Sequence, residues 1–332
     1  MSKYTKEIYD IIQQSNMKRK LKNYLVKEWF EKFLNDYCSN IKDSTFASYK
    51  QTVNNHVNRI LGEIPLKEIN SEVLQFFIKV LSDGDEEISP LAPKTVKNIY
   101  GVLHKGLLTA HKLGYMSANI EDMMVVLPRT APHEITPLSN DEISALLSYV
   151  NGSKYQLIIT TAIFTGMRES ELLGLRWSDV DFKSGTINVS RQLVRDKITH
   201  DFVLTTLKNN KPRIIKPARF LMAELETTYM GNRQDFVFTN PQTGSHMNHN
   251  AVYRYLKKAS SKSFGRENVR FHDLRHTYAV LSLQAGDDYK TLQDNMGHYS
   301  ASFTLDRYGH CTDTMKAVSS QRMDSFYKEH LA

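Results

Sequence analysis

His272-Asp273-Leu274-Arg275-His276-Thr277, then Met296-Gly297-His298, then Leu305-Asp306-Arg307-Tyr308-Gly309-His310, is the stretch on which the reading of this 332-residue chain turns. It sets imidazoles, a guanidinium and a phenol where one phosphodiester could meet them. Spaced i, i+3, His272 and Arg275 share one face of a helix. A neutral imidazole beside a guanidinium suits proton handling at a phosphate. Gly297 fits a helix C-cap that delivers His298 into a turn. A phenol has a pKa of about 10, so Tyr308 needs neighbouring cations to attack anything at neutral pH. Tyr299, directly after His298, is the rival phenol. His272 and His276 also have the i, i+4 spacing of paired zinc ligands. Against zinc, the acid between them is Asp273 rather than the glutamate of the metalloprotease pattern, and Arg275 would set a cation beside the metal.

Working outward, Thr165-Gly166-Met167-Arg168-Glu169-Ser170-Glu171 supplies a second guanidinium. Gly166 ends one apolar helix, predicted from Tyr155 to Thr165. Arg168 then projects from the start of the next, over 169–175, where helix termini favour anions. A guanidinium there can hold phosphate through paired hydrogen bonds. Glu171, one turn on, can orient it. Lys208 and Lys211 flank Asn209-Asn210, read as a hairpin turn between strands at 202–207 and 213–216. An ammonium on a flexible stem could protonate a leaving oxygen or reach into a DNA groove. Taken singly, each of these groups is ordinary surface decoration; their order along the chain carries the argument.

The rest of the chain bounds the setting. With 41% hydrophobic residues, two domains with real cores fit its length. No run of about 18 apolar residues suggests a membrane span, and the polar Met1–Asp10 stretch lacks a signal-peptide core. Cys38 and Cys311, the only two cysteines, fit a reducing cytoplasm and exclude a disulfide scaffold. A net charge of +7 favours a polyanionic partner. Residues 1–20 read as a basic N-terminal extension and 21–127 as a helical domain. Its helices are expected over 22–37, from Ser44, from a Ser71 cap, and from Thr95 to about Gly114. Residues 128–137, rich in proline, read as a linker. A capping box at Ser139–Glu142 opens the second domain, 138–332. That domain mixes helices with a small antiparallel sheet of about three strands, including one over 186–194, and ends in a helical tail near 312–330. The fold class is therefore mostly α with a small antiparallel β-sheet.

The ordered series Arg168, Glu171, Lys208, His272-x-x-Arg275, Gly297-His298 and Tyr308 resembles the tyrosine recombinases, the phage integrase family, over roughly residues 20–325. The N-terminal helices resemble its SAM-like core-binding domain by position. The resemblance implies a site-specific DNA recombinase acting through a 3′-phosphotyrosine, for integration or excision of a mobile element. Tyr308 would be the nucleophile, with Arg168 and Arg275 on the non-bridging oxygens. Lys208, or alternatively Lys211, would be the general acid. His272 would transfer protons, His298 would hydrogen-bond the phosphate, and Glu171 would support the arginines. It further implies no metal and no cofactor, double-stranded DNA as substrate, a homotetramer on two DNA sites, and an excisionase or host DNA-bending protein as a further partner. The segment before the first helix is expected to be too short for an arm-binding domain. Alternatives are Xer-like chromosome dimer resolution, DNA inversion, a type IB topoisomerase, and a catalytically inactive DNA-binding protein.

Overall fold

The computed structural model describes residues 24–130, 136–196, 199, 201–207, 211–297 and 313–331. The extension at 1–20, part of the proline-rich linker, Lys208, His298, Tyr299 and Tyr308 lie outside the described residues. The chain divides into two compact units, residues 1–133 with 197–199, and 134–196 with 200–332.

The first unit is helical: α1 (Val26–Tyr37), α2 (Asp43–Thr52), α3 (Asn58–Leu61), α4 (Ser71–Asp83) and α5 (Pro93–Lys112), with a π-helical turn at Val53–Val57 joining α2 to α3. Trp29, Phe30, Phe33 and Leu34 form the buried stripe of α1. The stripe meets α5 at Gly106, where an added Cβ would lie 2.3 Å from the Phe30 ring, so only glycine allows the approach. The Trp29 indole N–H donates to the Gly106 carbonyl across that contact at 3.0 Å. Ser71 is not the cap of α4. Asn70 is extended (φ −143°) and its side chain accepts from the amides of Glu72 and Val73; the first residue outside helical φ/ψ is the one placed to cap. Helix α5 starts two residues before Thr95, at Pro93, where the missing N–H costs nothing.

In the second unit, Ser139 and Glu142 exchange the two hydrogen bonds of a capping box and open α6 (Asn140–Val150). Helix α7 (Gln156–Thr165) is apolar all round, as suits its central place. It packs on α9 (Arg219–Thr228) and α11 (Phe271–Ala285), while α10 (His249–Phe264) packs on α6. The short α8 (Glu169–Leu173) follows α7, and α12 (Tyr289–Met296) follows α11.

The strands correct the expected hairpin. β1 (Val180–Asp181) pairs with β2 (Thr186–Val189), which pairs with β5 (Arg213–Ile215); β3 (Arg191–Arg195) pairs with β4 (Phe202–Thr206). The register runs Ile187↔Ile215 and Val189↔Arg213, then Arg191↔Thr206 and Arg195↔Phe202. The predicted strand over 186–194 is thus split at Ser190 but continues as one side of a two-stranded ribbon. Its return side is interrupted between Thr206 and Arg213. The ribbon turns between Arg195 and Phe202, where Asp196 N–H donates to the Asp201 carbonyl at 2.8 Å. Strand 202–206 therefore does not pair with 213–215, so the expected hairpin between them is not formed; Lys211 precedes β5, and Lys208 lies outside the described residues. Buried Ile187, Val189, Leu193 and Ile215 set this register; a one-residue slip would turn them to solvent.

The tail is helical, α13 (Asp313–His330). It exposes Met323, Phe326 and Tyr327.

Candidate active site

Two glycine-ended turns of the second unit bring the motif residues together. Helix α7 ends at Gly166 in left-handed conformation (φ 61°). An added Cβ there would sit 2.3 Å from the Tyr278 ring of α11, so the position is closed to other residues on two counts. Two residues later Arg168 is the N-cap of α8. Its backbone N–H donates to Glu171 Oε2 at 2.9 Å and its Nη1 to Glu171 Oε1 at 2.7 Å. Helix α12 ends at Gly297, again left-handed (φ 63°), directly before His298.

Arg275 lies one turn into α11 and is 2% exposed. It donates through Nη1 to the Gly166 carbonyl at 2.5 Å and through Nη2 to the Met296 carbonyl at 2.6 Å. Arg168 Nη2 reaches the next carbonyl, Gly297, at 3.4 Å. The two guanidiniums, 107 positions apart in sequence, thus converge on adjacent peptides of one turn. Arg168 keeps 27% of its side chain in solvent, the more open of the two.

Beneath Arg168 lies Glu171, 1% exposed. Sequence reasoning missed its second partner. Arg213, the first residue of β5, donates Nη1 to Oε1 at 3.1 Å and Nη2 to Oε2 at 2.7 Å. It also donates Nε to the Asn295 carbonyl at 2.7 Å. Burial alone would raise the Glu171 pKa. The hydrogen bonds and charge of Arg213, joined by Arg168, outweigh that and hold it at about 2. One signal for Arg213 was present in the sequence: strand alternation puts it on the inner side with Ile215, while Ile214 is 70% exposed. An inward arginine needs an acid.

His272 shares the first turn of α11 with Asp273, which accepts from the Arg270 N–H at 2.8 Å and Nη2 at 3.0 Å. The His272 imidazole is held below its ordinary pKa, by lost hydration first and then by the charge of Arg275, with Asp273 opposing and Arg168 and Arg270 adding. The residue keeps contact with solvent. Its ring meets His276 edge-on at 4.6 Å, and His276 is 4% exposed. Among the described residues, no group of three or more His, Cys, Asp or Glu is arranged to hold a metal. None of their helices is long and apolar enough to cross a membrane. Of the expected site, Arg168, Glu171, His272 and Arg275 are therefore described; Lys208, His298 and Tyr308 lie outside the described residues.

A helical unit followed by a mixed unit with two arginines clustered on its glycine turns defines a class, and comparison gives the family. The family model of the phage integrase family matches residues 137–315, and that of the phage integrase N-terminal SAM-like domain matches residues 25–82. The chain belongs to the phage integrase family, the tyrosine-type site-specific recombinases. Curated relatives include the tyrosine recombinase XerC-like protein of Caldanaerobacter subterraneus subsp. tengcongensis, 23% identical over 86% of this chain and 79% of the relative. The ICEBs1 integrase of Bacillus subtilis is 25% identical over 85% of this chain and 78% of its own length. Among solved structures, the Tn1549 transposon integrase in complex with a circular intermediate DNA superposes with a TM-score of 0.74 at 22% identity, covering 90% of this chain and 99% of that one. The lambda integrase tetramer bound to a Holliday junction gives 0.61 at 19% identity, over 88% and 80%. At these identities the structural likeness is one of fold.

Proposed function

We propose that the chain cleaves and rejoins double-stranded DNA at the ends of a mobile element, with Tyr308 as nucleophile. Arg168 and Arg275 hold the two non-bridging oxygens of the scissile phosphate and stabilise the charge that builds up in the transition state. The Tyr308 oxygen attacks phosphorus while His272, neutral at pH 7, takes its proton. Lys208 protonates the departing 5′-oxygen, and His298 hydrogen-bonds the phosphate. A 3′-phosphotyrosine and a free 5′-hydroxyl result. Attack by the 5′-hydroxyl of the other duplex reverses the step and exchanges strands. The covalent link conserves the phosphodiester energy, so neither metal nor nucleotide cofactor is required. Two DNA sites held by a homotetramer, with an excisionase or host DNA-bending protein setting direction, complete the reaction in the cytoplasm.

The observation that carries this reading is the convergence of Arg168 and Arg275 on the Met296–Gly297 turn. One residue further along is His298, and each guanidinium donates to a peptide carbonyl of this turn, Arg168 pairing with Glu171 as well. Such a turn presents two cations to an oxyanion. Nicked duplexes tiled across the DNA flanking its own gene test the proposal. On one of them the wild-type chain should form a complex that survives denaturing electrophoresis. Tyr308→Phe should lose that complex and keep binding in a native gel. An undiminished covalent complex from Tyr308→Phe would move the nucleophile to Tyr299 or elsewhere.

A further inference from the structure

Arg213 is a charged side chain only 9% exposed, and the mechanism above gives it no task. Its guanidinium takes both oxygens of Glu171 and the Asn295 carbonyl. Those contacts join three separate stretches: the start of α8 that carries Arg168, the end of α12 that leads to His298, and β5 itself. The fit against α12 is close. A Cβ on Gly297 would lie 3.1 Å from Arg213 Nη1. We propose that Arg213 is a positioning residue for strand cleavage, acting through Glu171 on Arg168 and through the Asn295 carbonyl on the turn before His298.

The electrostatics give the reason. Two guanidiniums share one carboxylate, so the cluster keeps a surplus positive charge. Arg213 is the buried member and Arg168 the open one, which places the surplus where an oxyanion can arrive. Without Arg213, Glu171 would be a buried carboxylate with Arg168 as its sole cationic partner among the contacts described. A bidentate Arg168–Glu171 pair is then the favoured geometry. It would draw Arg168 inward and neutralise the charge meant for phosphate. A guanidinium has five N–H donors. Anchored by one hydrogen bond to Oε1 and a longer one to Gly297, Arg168 retains donors for a ligand.

This role rests on Arg168 being a phosphate ligand, and the test separates the two. Rates of covalent-complex formation would be measured for wild type, Arg213→Met, Arg213→Lys and Tyr308→Phe on two nicked duplexes. One carries the ordinary scissile phosphodiester, the other a methylphosphonate there, which lacks the charged oxygen that Arg168 must hold. Arg213→Met should be slower by about 10²-fold on the phosphodiester, the scale of a displaced catalytic group. The defect should shrink to below about tenfold on the methylphosphonate, where less charge needs holding. Arg213→Lys should recover part of the phosphodiester rate. In parallel, carbon-detected titration of Glu171 should show its pKa rising from about 2 in Arg213→Met. Equal losses on both duplexes, or no loss on either, would overturn the positioning role. If the wild type formed no adduct, the reading of Arg168 would fall and this proposal with it, whereas an adduct from Tyr308→Phe would move the nucleophile and leave the Arg213 comparison to decide the positioning role.

Discussion

Removing the charge of Glu171 should destabilise the second unit at neutral pH and hardly at all in strong acid. The wild-type carboxyl drops from an ordinary 4.5 to about 2 on folding. At about 1.4 kcal/mol per pKa unit, that is worth about 3 kcal/mol of stability. The folded pKa is depressed, so this contribution is complete above the unfolded value of 4.5 and is lost as pH falls through the folded value near 2. By pH 3 about 2 kcal/mol of it should be gone. Glu171→Gln keeps the shape but leaves Arg213, buried, without its counter-charge. The expected cost at pH 7 is about 3–5 kcal/mol, the range for breaking one side of a buried ion pair. Only Trp29 and Trp177 occur in the chain, one in each unit. Urea unfolding followed by Trp177 fluorescence, in a Trp29→Phe background, therefore reports the second unit. The stability gap between the parent protein and its Glu171→Gln variant should close by about 2 kcal/mol between pH 7 and pH 3. A gap that stays constant across that range would refute the charged, doubly paired carboxylate.

Gly166→Ala should cost about 2–5 kcal/mol, from a left-handed backbone and a Cβ driven into the Tyr278 ring. Thermal melts should then show Tyr278→Leu recovering part of that loss in the double variant. His272 should titrate below 6.5 by NMR, because of lost hydration and then the Arg275 charge. Adduct formation should fall in acid with a midpoint below 6.5, whereas a midpoint at or above 6.5 would contradict the neutral base. Chelation with EDTA should leave adduct formation unchanged; loss of activity that added metal restores would break the metal-free mechanism.

Local chemistry made much of this molecule readable from its sequence. The Ser139–Glu142 box and the C-caps at Gly166 and Gly297 are interactions within one turn, so neighbouring residues specify them. Asn70-Ser71 offered two capping residues in a row, and only the backbone's exit from the helix decides between them. Asn209-Asn210 carried turn chemistry, yet the ribbon turns between Arg195 and Phe202 because buried residues on both strands fix the register. No short-range rule weighs that against a favourable dipeptide. Arg213 stayed hidden for the same reason. Its partner Glu171 is 42 residues away, and only the fold joins β5 to α8. The arginines of the site were readable as motifs, but that Arg275 and Arg168 would rest on adjacent carbonyls was a matter of how α7, α11 and α12 end.

The most direct measurement is the site of attachment itself. Trypsin cuts after Arg307 and so separates the two phenols: Tyr308 falls in the peptide 308–316, and Tyr299 in the peptide 291–307. After nuclease trimming of the adduct formed on a nicked duplex, mass spectrometry should find the residual 3′-nucleotide phosphate on Tyr308 in 308–316. A phosphonucleotide on 291–307, or on any other peptide, would contradict Tyr308 as the residue that cuts DNA.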